Sequence, residues 1–195
     1  MLDTTYSILE FIPETHQYRL NGVVIPGVTE IIRAAGLSVD AAFFTEQAAW
    51  RGSAVHYACR LDNERDLDMA TVDERILPYL NAWQTFKRDM AFHPSSTERM
   101  QFGELYGMRF AGTPDCEGLI GLLPATVDLK TGPVRPEAAL QLAAYTILTG
   151  MPTRIAVRLK PTGKYELKTF PAQELRTDLN QFRSALANWH WKNNR

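Results

Sequence analysis

Asp128-Leu129-Lys130-Thr131-Gly132, preceded by Pro114-Asp115, is the stretch on which the fold of this chain turns. On a strand, residues two apart leave the same face, so Asp128 and Lys130 project side by side while Val127 and Leu129 face a core. Taken alone, such a pair reads as a surface salt bridge of small energetic value. Asp115 changes that. It stands on a strand-like segment, residues 108–120, separated by a turn near Gly121 from a short strand over 125–129. Strands joined by so short a link normally pair, which places Asp115 beside Asp128. Two carboxylates next to a lysine are costly unless a cation lies between them, and hard divalent ions favour oxygen donors. The plainer reading of Asp115 is a turn residue after Pro114, since turns favour aspartate.

Two further elements flank this stretch. Upstream, Gly52 and His56 are one turn apart on an expected helix and face the same way. The glycine would admit a close approach, and the imidazole is either a metal ligand or a hydrogen-bonded structural residue. Downstream, Gln141 and Tyr145 share one face of an Ala- and Leu-rich helix that starts just after the Asp128 strand. That face returns over the strand end, or is simply a polar stripe on a core helix.

Outward from this centre the pattern is mixed α/β. Residues 7–25 read as a hairpin with Asn21-Gly22 as its turn. A short helix over 30–35 stops at Gly36. A second runs over 40–61 with Asp40 as N-cap and Ala41, Phe44, Ala48, Val55 and Ala58 on its apolar side. Residues 62–73 are acidic and read as a solvated loop. A third helix, 74–90, carries Ile76, Leu77, Leu80, Trp83 and Phe86 at helical spacing. Residues 97–102 alternate as a strand. The Gln141 helix covers 137–148 and ends at Gly150. Residues 155–160 and 165–170 form a hairpin about Pro161-Thr162-Gly163, and 174–191 is a terminal amphipathic helix. No repeat or linker interrupts the sequence, so one domain over 1–195 is expected, with an N-terminal part (1–35), a core (40–148) and a C-terminal hairpin and helix (151–195).

Composition narrows the function classes. At 195 residues, with 45% hydrophobic and 22% charged residues, the chain can bury a real core. Two cysteines, Cys59 and Cys116, are too few for a disulfide framework and suit a reducing cytosol. No apolar run approaches the roughly 20 residues that span a bilayer, and the acidic start is unlike a signal peptide. A cytoplasmic protein without a membrane partner is expected. The formal net charge of −1 hides an asymmetry: from residue 151 onward nine Lys/Arg face three Asp/Glu. That segment either attracts a polyanion or solvates one face of the last elements. Trp189, His190 and Trp191 read as packing residues rather than a base-stacking platform.

Together these elements resemble the PD-(D/E)XK nuclease superfamily, in particular its RecB-like and phage-exonuclease branch. The resemblance rests on Pro114-Asp115 with Asp128-Leu129-Lys130, on Gly52 with His56, on Lys130-Thr131-Gly132, and on Gln141 with Tyr145. It covers roughly residues 51–145; the run 16–22 with 26–29 is more loosely similar to small phage members. It implies a restriction-endonuclease-like core, a central mixed sheet flanked by helices, and metal-dependent hydrolysis of DNA phosphodiesters, from ends in a phage or prophage setting. One or two Mg²⁺ or Mn²⁺ ions would be held by Asp115, Asp128, the Leu129 carbonyl and His56, with Glu98, on the strand before Asp115, as a further ligand. Lys130 would position or activate water, and Gln141 and Tyr145 would orient it or the DNA strand. A second copy of the chain or a phage recombination protein is the partner class implied. Too few cysteines exclude an iron–sulfur cluster, and no Walker A loop provides for translocation. A catalytically silent DNA- or partner-binding module and a structure-specific endonuclease are the alternatives on the same fold.

Overall fold

The computed structural model of this chain describes residues 7–38 and 45–193. It opens with β1 (Leu9–Ile12), β2 (Gln17–Leu20) and β3 (Val23–Ile25), an antiparallel three-stranded sheet rather than the expected hairpin. Asn21-Gly22 is indeed a turn, but it joins β2 to β3. Both residues have positive φ, 52° and 79°, the backbone that a tight two-residue hairpin turn requires. Helix α1 (Val28–Ala34) follows, and Glu30 accepts a hydrogen bond from the N–H of Gly27 at its start.

Helix α2 (Glu46–Glu64) is capped by Thr45, whose hydroxyl accepts from the Ala48 amide. The expected cap Asp40 and the apolar positions Ala41 and Phe44 lie outside the described residues. The helix continues beyond 61 through residues that read as loop, and a single 3₁₀ turn, Met69–Thr71, leads on to α3 (Leu77–Asp89). Then come β4 (Phe92–Thr97), β5 (Gln101–Leu105), β6 (Met108–Gly112), β7 (Cys116–Ile120) and β8 (Leu123–Lys130). The single strand expected over 108–120 is therefore two strands, broken at Thr113-Pro114-Asp115. The alternating stretch 97–102 spans the end of β4 and the start of β5. The chain finishes with α4 (Glu137–Thr149), β9 (Thr153–Leu159), β10 (Tyr165–Phe170) and α5 (Leu175–Asn193).

The central sheet has the order β10-β9-β8-β7-β4; β8 and β9 run parallel with α4 as their crossover, and the other pairs are antiparallel. Strands β5 and β6 form a separate ribbon. Alternation along the strands sorts the side chains into two cores. Val127, Leu129, Ile155, Val157 and Leu159 pack with Val55, Cys59, Leu80, Trp83 and Phe86 from α2 and α3. On the opposite face Ala156 packs with residues of α1, α4 and α5, including Ile31, Leu142 and Phe182. Asp128 lies in register with Ala156, so it emerges on the α4 side, beneath the helix that carries Gln141 and Tyr145. Among the described residues no helix is long and apolar enough to cross a membrane.

Candidate active site

The β7–β8 ladder closes with Cys116 opposite Val127; one step further along stand Asp115 and Asp128. The Leu129 amide donates to Asp115 Oδ2 at 2.7 Å, and His56 Nδ1 lies 3.3 Å from Oδ1. Helix α2 thus delivers His56 from one side of the sheet end, while the Asp115 carboxylate is fixed at its edge. Asp128 is only 1% exposed, and Lys130 Nζ lies 2.7 Å from its Oδ2. Neither Asp128 oxygen has an aligned hydrogen-bond partner among the described residues. A buried, under-satisfied carboxylate is expensive to keep in a fold.

The amine of Lys130 also donates to Gln141 Oε1 at 3.2 Å, Gln141 Nε2 donates to the Tyr145 hydroxyl at 3.1 Å, and that hydroxyl donates to the Thr113 carbonyl at 3.4 Å. Directions are forced along this chain. Lysine has only donors, so it takes the amide oxygen, and the amide NH₂ must then face the phenol.

Electrostatics divide the two carboxylates. Burial opposes the charge on Asp115, but His56 and Lys130 together with the Leu129 amide hold its carboxyl below the ordinary carboxylate range. Asp128 is pushed up, first by burial, with the neighbouring Asp115 adding to the shift and Lys130 only partly offsetting it. Burial disfavours the His56 imidazolium, yet Asp115 and Asp128 outweigh it and raise the pKa to about 9. Lys130 is likewise raised against its own burial by Asp128 and Asp115, so its amine is an ammonium at neutral pH. Burial drives the Tyr145 phenol well above its ordinary value, keeping it neutral.

His56, Lys130 and Gln141 line one wall of a cavity of about 350 Å³, completed by Ser38, Leu129, Thr131–Pro133, Arg135, Glu137 and Ala138. His56 also borders an open groove of about 700 Å³ along α2, with Ala48, Ala49, Gly52, Ser53, Tyr57 and Glu98. The polar cluster is therefore reached from two sides.

No family model and no curated protein matches the sequence. Among solved structures, a candidate exonuclease from Eubacterium rectale superposes with a TM-score of 0.53 at 16% identity, over 85% of this chain and 73% of that one. The chain shares the fold of that protein. Also similar are an alkaline exonuclease from Laribacter hongkongensis (TM-score 0.42, 15% identity, 84% of this chain and 88% of that one) and the same protein in complex with dAMP (TM-score 0.42, 15% identity, 86% and 92%).

Within this fold the structure brings Asp115, Asp128, Lys130, His56, Gln141 and Tyr145 into one connected cluster. Glu98 is placed differently from expectation. It sits in the turn after β4 with a φ of 45°, its amide donates to the Asp115 carbonyl, and its carboxylate pairs with Arg60 at 3.2 Å. Gly52 admits no close neighbour; the nearest atom to a Cβ built there is Thr131 Oγ1 at 3.8 Å. Three cations at the cationic end of the chain pair within it: Arg154 is fully buried against Asp178, and Arg158 and Lys160 both pair with Glu166. Trp189 donates to Glu30, and Trp191 is exposed. Sequence reasoning left Thr113 without a role, and nothing in a Gly-Thr-Pro-Asp turn signals that its carbonyl would anchor Tyr145.

The donor chemistry fits a hard divalent ion. Asp115 and Asp128 offer carboxylate oxygens, Leu129 a carbonyl and His56 an imidazole, and the unsatisfied buried Asp128 Oδ1 calls for a cation. Among the described residues no three His, Cys, Asp or Glu side chains form a ready-made cage. Mg²⁺ sites in general use one or two carboxylates and leave other positions to water and phosphate.

Proposed function

We propose that this chain is a divalent-metal-dependent nuclease that hydrolyses phosphodiester bonds of DNA, acting from ends, in the cytoplasm of a bacterial host. The observation that carries the reading is the meeting of Asp115 and Asp128 across the β7–β8 ladder, with the Lys130 ammonium 2.7 Å from Asp128 at the wall of an open cavity. The fold shared with a candidate exonuclease supports it, and end-directed action rests on that likeness alone.

Asp115, Asp128, the Leu129 carbonyl and His56 would hold Mg²⁺ or Mn²⁺. When bound, such an ion supplies Lewis acidity toward phosphate and water. The Lys130 amine would position or activate the attacking water and stabilise negative charge on the scissile phosphate. Gln141 and Tyr145 position that amine, leaving it one polar direction toward the cavity. DNA is the partner this geometry serves.

The test is digestion of linear, nicked and closed circular duplexes with Mg²⁺ or Mn²⁺. Linear DNA should be degraded and the closed circle spared, with activity lost in Asp115→Ala and Lys130→Ala proteins that remain folded. Wild-type activity in either variant, or an inert wild-type protein with both metals, refutes the assignment.

A further inference from the structure

The N-terminal sheet lies outside the central sheet, yet it reaches the Lys130 cluster at one point. Tyr18, on β2, places its hydroxyl 2.8 Å from Thr113 Oγ1. Thr113 is the residue whose carbonyl receives the Tyr145 hydroxyl, the longest link of the chain at 3.4 Å. Two glycines create this arrangement. A Cβ at Gly27 would sit 3.0 Å from Tyr18 Cε2, and a Cβ at Gly112 would sit 2.9 Å from Tyr145 Cε1. Each ring lies against bare backbone, that of Tyr18 at Gly27 and that of Tyr145 at Gly112, the neighbour of Thr113. The segment between them is itself pinned: Gly27 bridges Ala111, and the Ala111 amide donates to the Pro26 carbonyl at 2.9 Å.

The geometry points to Tyr18 as a positioning residue for the Lys130 amine, acting through Thr113, Tyr145 and Gln141. The inference rests on the nuclease reading of the site and adds a residue to it. Packing alone does not account for the hydroxyl. The Tyr18 ring is already held by Phe11, 4.9 Å between centroids, and by Gly27, so phenylalanine would keep those contacts. What the hydroxyl adds is a fixed Thr113. With that residue held, its carbonyl keeps the Tyr145 proton, the phenol oxygen keeps the Gln141 NH₂, and the amide oxygen stays turned toward Lys130. Released at Thr113, the amide can rotate, and a flipped amide would present NH₂ to an ammonium.

Tyr18→Phe and Thr113→Val remove the same contact from its two ends, so a folding failure in one leaves the other to report. Each should lower kcat about fivefold, the loss of one hydrogen bond's worth of alignment, with KM unchanged. The double variant should be no slower than either single variant, because both break one link. A readout independent of turnover is the side-chain amide resonance pair of Gln141, identified by its absence in Gln141→Ala; it should shift in both variants. Unmoved Gln141 resonances, or rate losses that multiply in the double variant, overturn the inference. Shifted resonances in a protein that cleaves no DNA leave the relay standing and remove the nuclease reading instead.

Discussion

The backbone amide of Leu129 donates to the Asp115 carboxylate at 2.7 Å, so the residue between Asp128 and Lys130 also fixes the third member of the group. One Asp115 oxygen is thereby held by the strand and the other faces His56. Asp115→Asn keeps the acceptor for that amide and removes the charge. Cleavage should fall at least about 100-fold, as for loss of a direct electrostatic contact, with an unchanged circular dichroism spectrum. Retained cleavage would mean that the carboxylate charge is not used.

The same pair sets a pH dependence. The His56 pKa, raised from 6.5 to about 9 in the folded chain, contributes stability that is complete below pH 6.5 and is lost as pH rises toward 9. In EDTA, unfolding free energy should fall over that window by up to about 3 kcal/mol. In Asp115→Asn the fall should largely vanish. Because a metal needs the neutral imidazole, Mn²⁺ affinity should rise across the same interval. Titration calorimetry at several pH values measures it, and a flat affinity removes His56 from the ligand set.

Lys130 is the nearest cation to a buried acid. Lys130→Met leaves Asp128 without its counter-charge and should destabilise the protein by at least about 2 kcal/mol. If a cation can serve Asp128 in its place, Mn²⁺ should raise the melting temperature of this variant more than that of the wild type, without restoring cleavage. Equal shifts in both proteins would place the ion elsewhere.

Two of the tightly packed glycines, Gly112 and Gly118, should rank differently from one another. A Cβ at Gly112 would lie 2.9 Å from Tyr145, 3.0 Å from Leu148 and 3.1 Å from Val28, all side-chain atoms. Gly112→Ala should cost about 1–3 kcal/mol, as overpacking does, and should slow cleavage through Tyr145. At Gly118 the added atom would strike the His93 carbonyl oxygen and lie 2.9 Å from Pro94 Cα. Backbone cannot turn aside, so Gly118→Ala should melt lower than Gly112→Ala. Gly22→Asn, at a turn with φ 79° and open space, should change little.

Much of the centre was legible because its signals are local. The i, i+2 spacing of Asp128 and Lys130, the short β7–β8 link, and the i, i+4 spacing of Gln141 and Tyr145 each follow from backbone periodicity. What escaped was set by contacts between distant residues. Asp62 and Asn63 read as the start of a solvated loop, yet α2 runs through them. Asp62 pairs with Lys87 and Gln84, and Asn63 meets Trp83, Lys87, Thr97 and Cys116. Polar residues stay helical there because α3 and the sheet supply their partners. Residues 97–102 keep a period of two across a turn, since Glu98 takes a left-handed conformation that alternation does not reveal. Segment 108–120 breaks at Thr113 because Tyr18 and Tyr145 both converge there, a meeting that spans 127 residues of chain.

Helix α4 makes the parallel connection between β8 and β9 and also carries Gln141 to Lys130. A helix advances about 100° per residue. One residue inserted between Ala138 and Gln141 would therefore swing the amide and the phenol together out of reach, while Ala138 stayed in the core. Length along this first helical turn is consequently as constrained as the acidic side chains themselves, and natural variants of this protein should change residue types there far more readily than residue number.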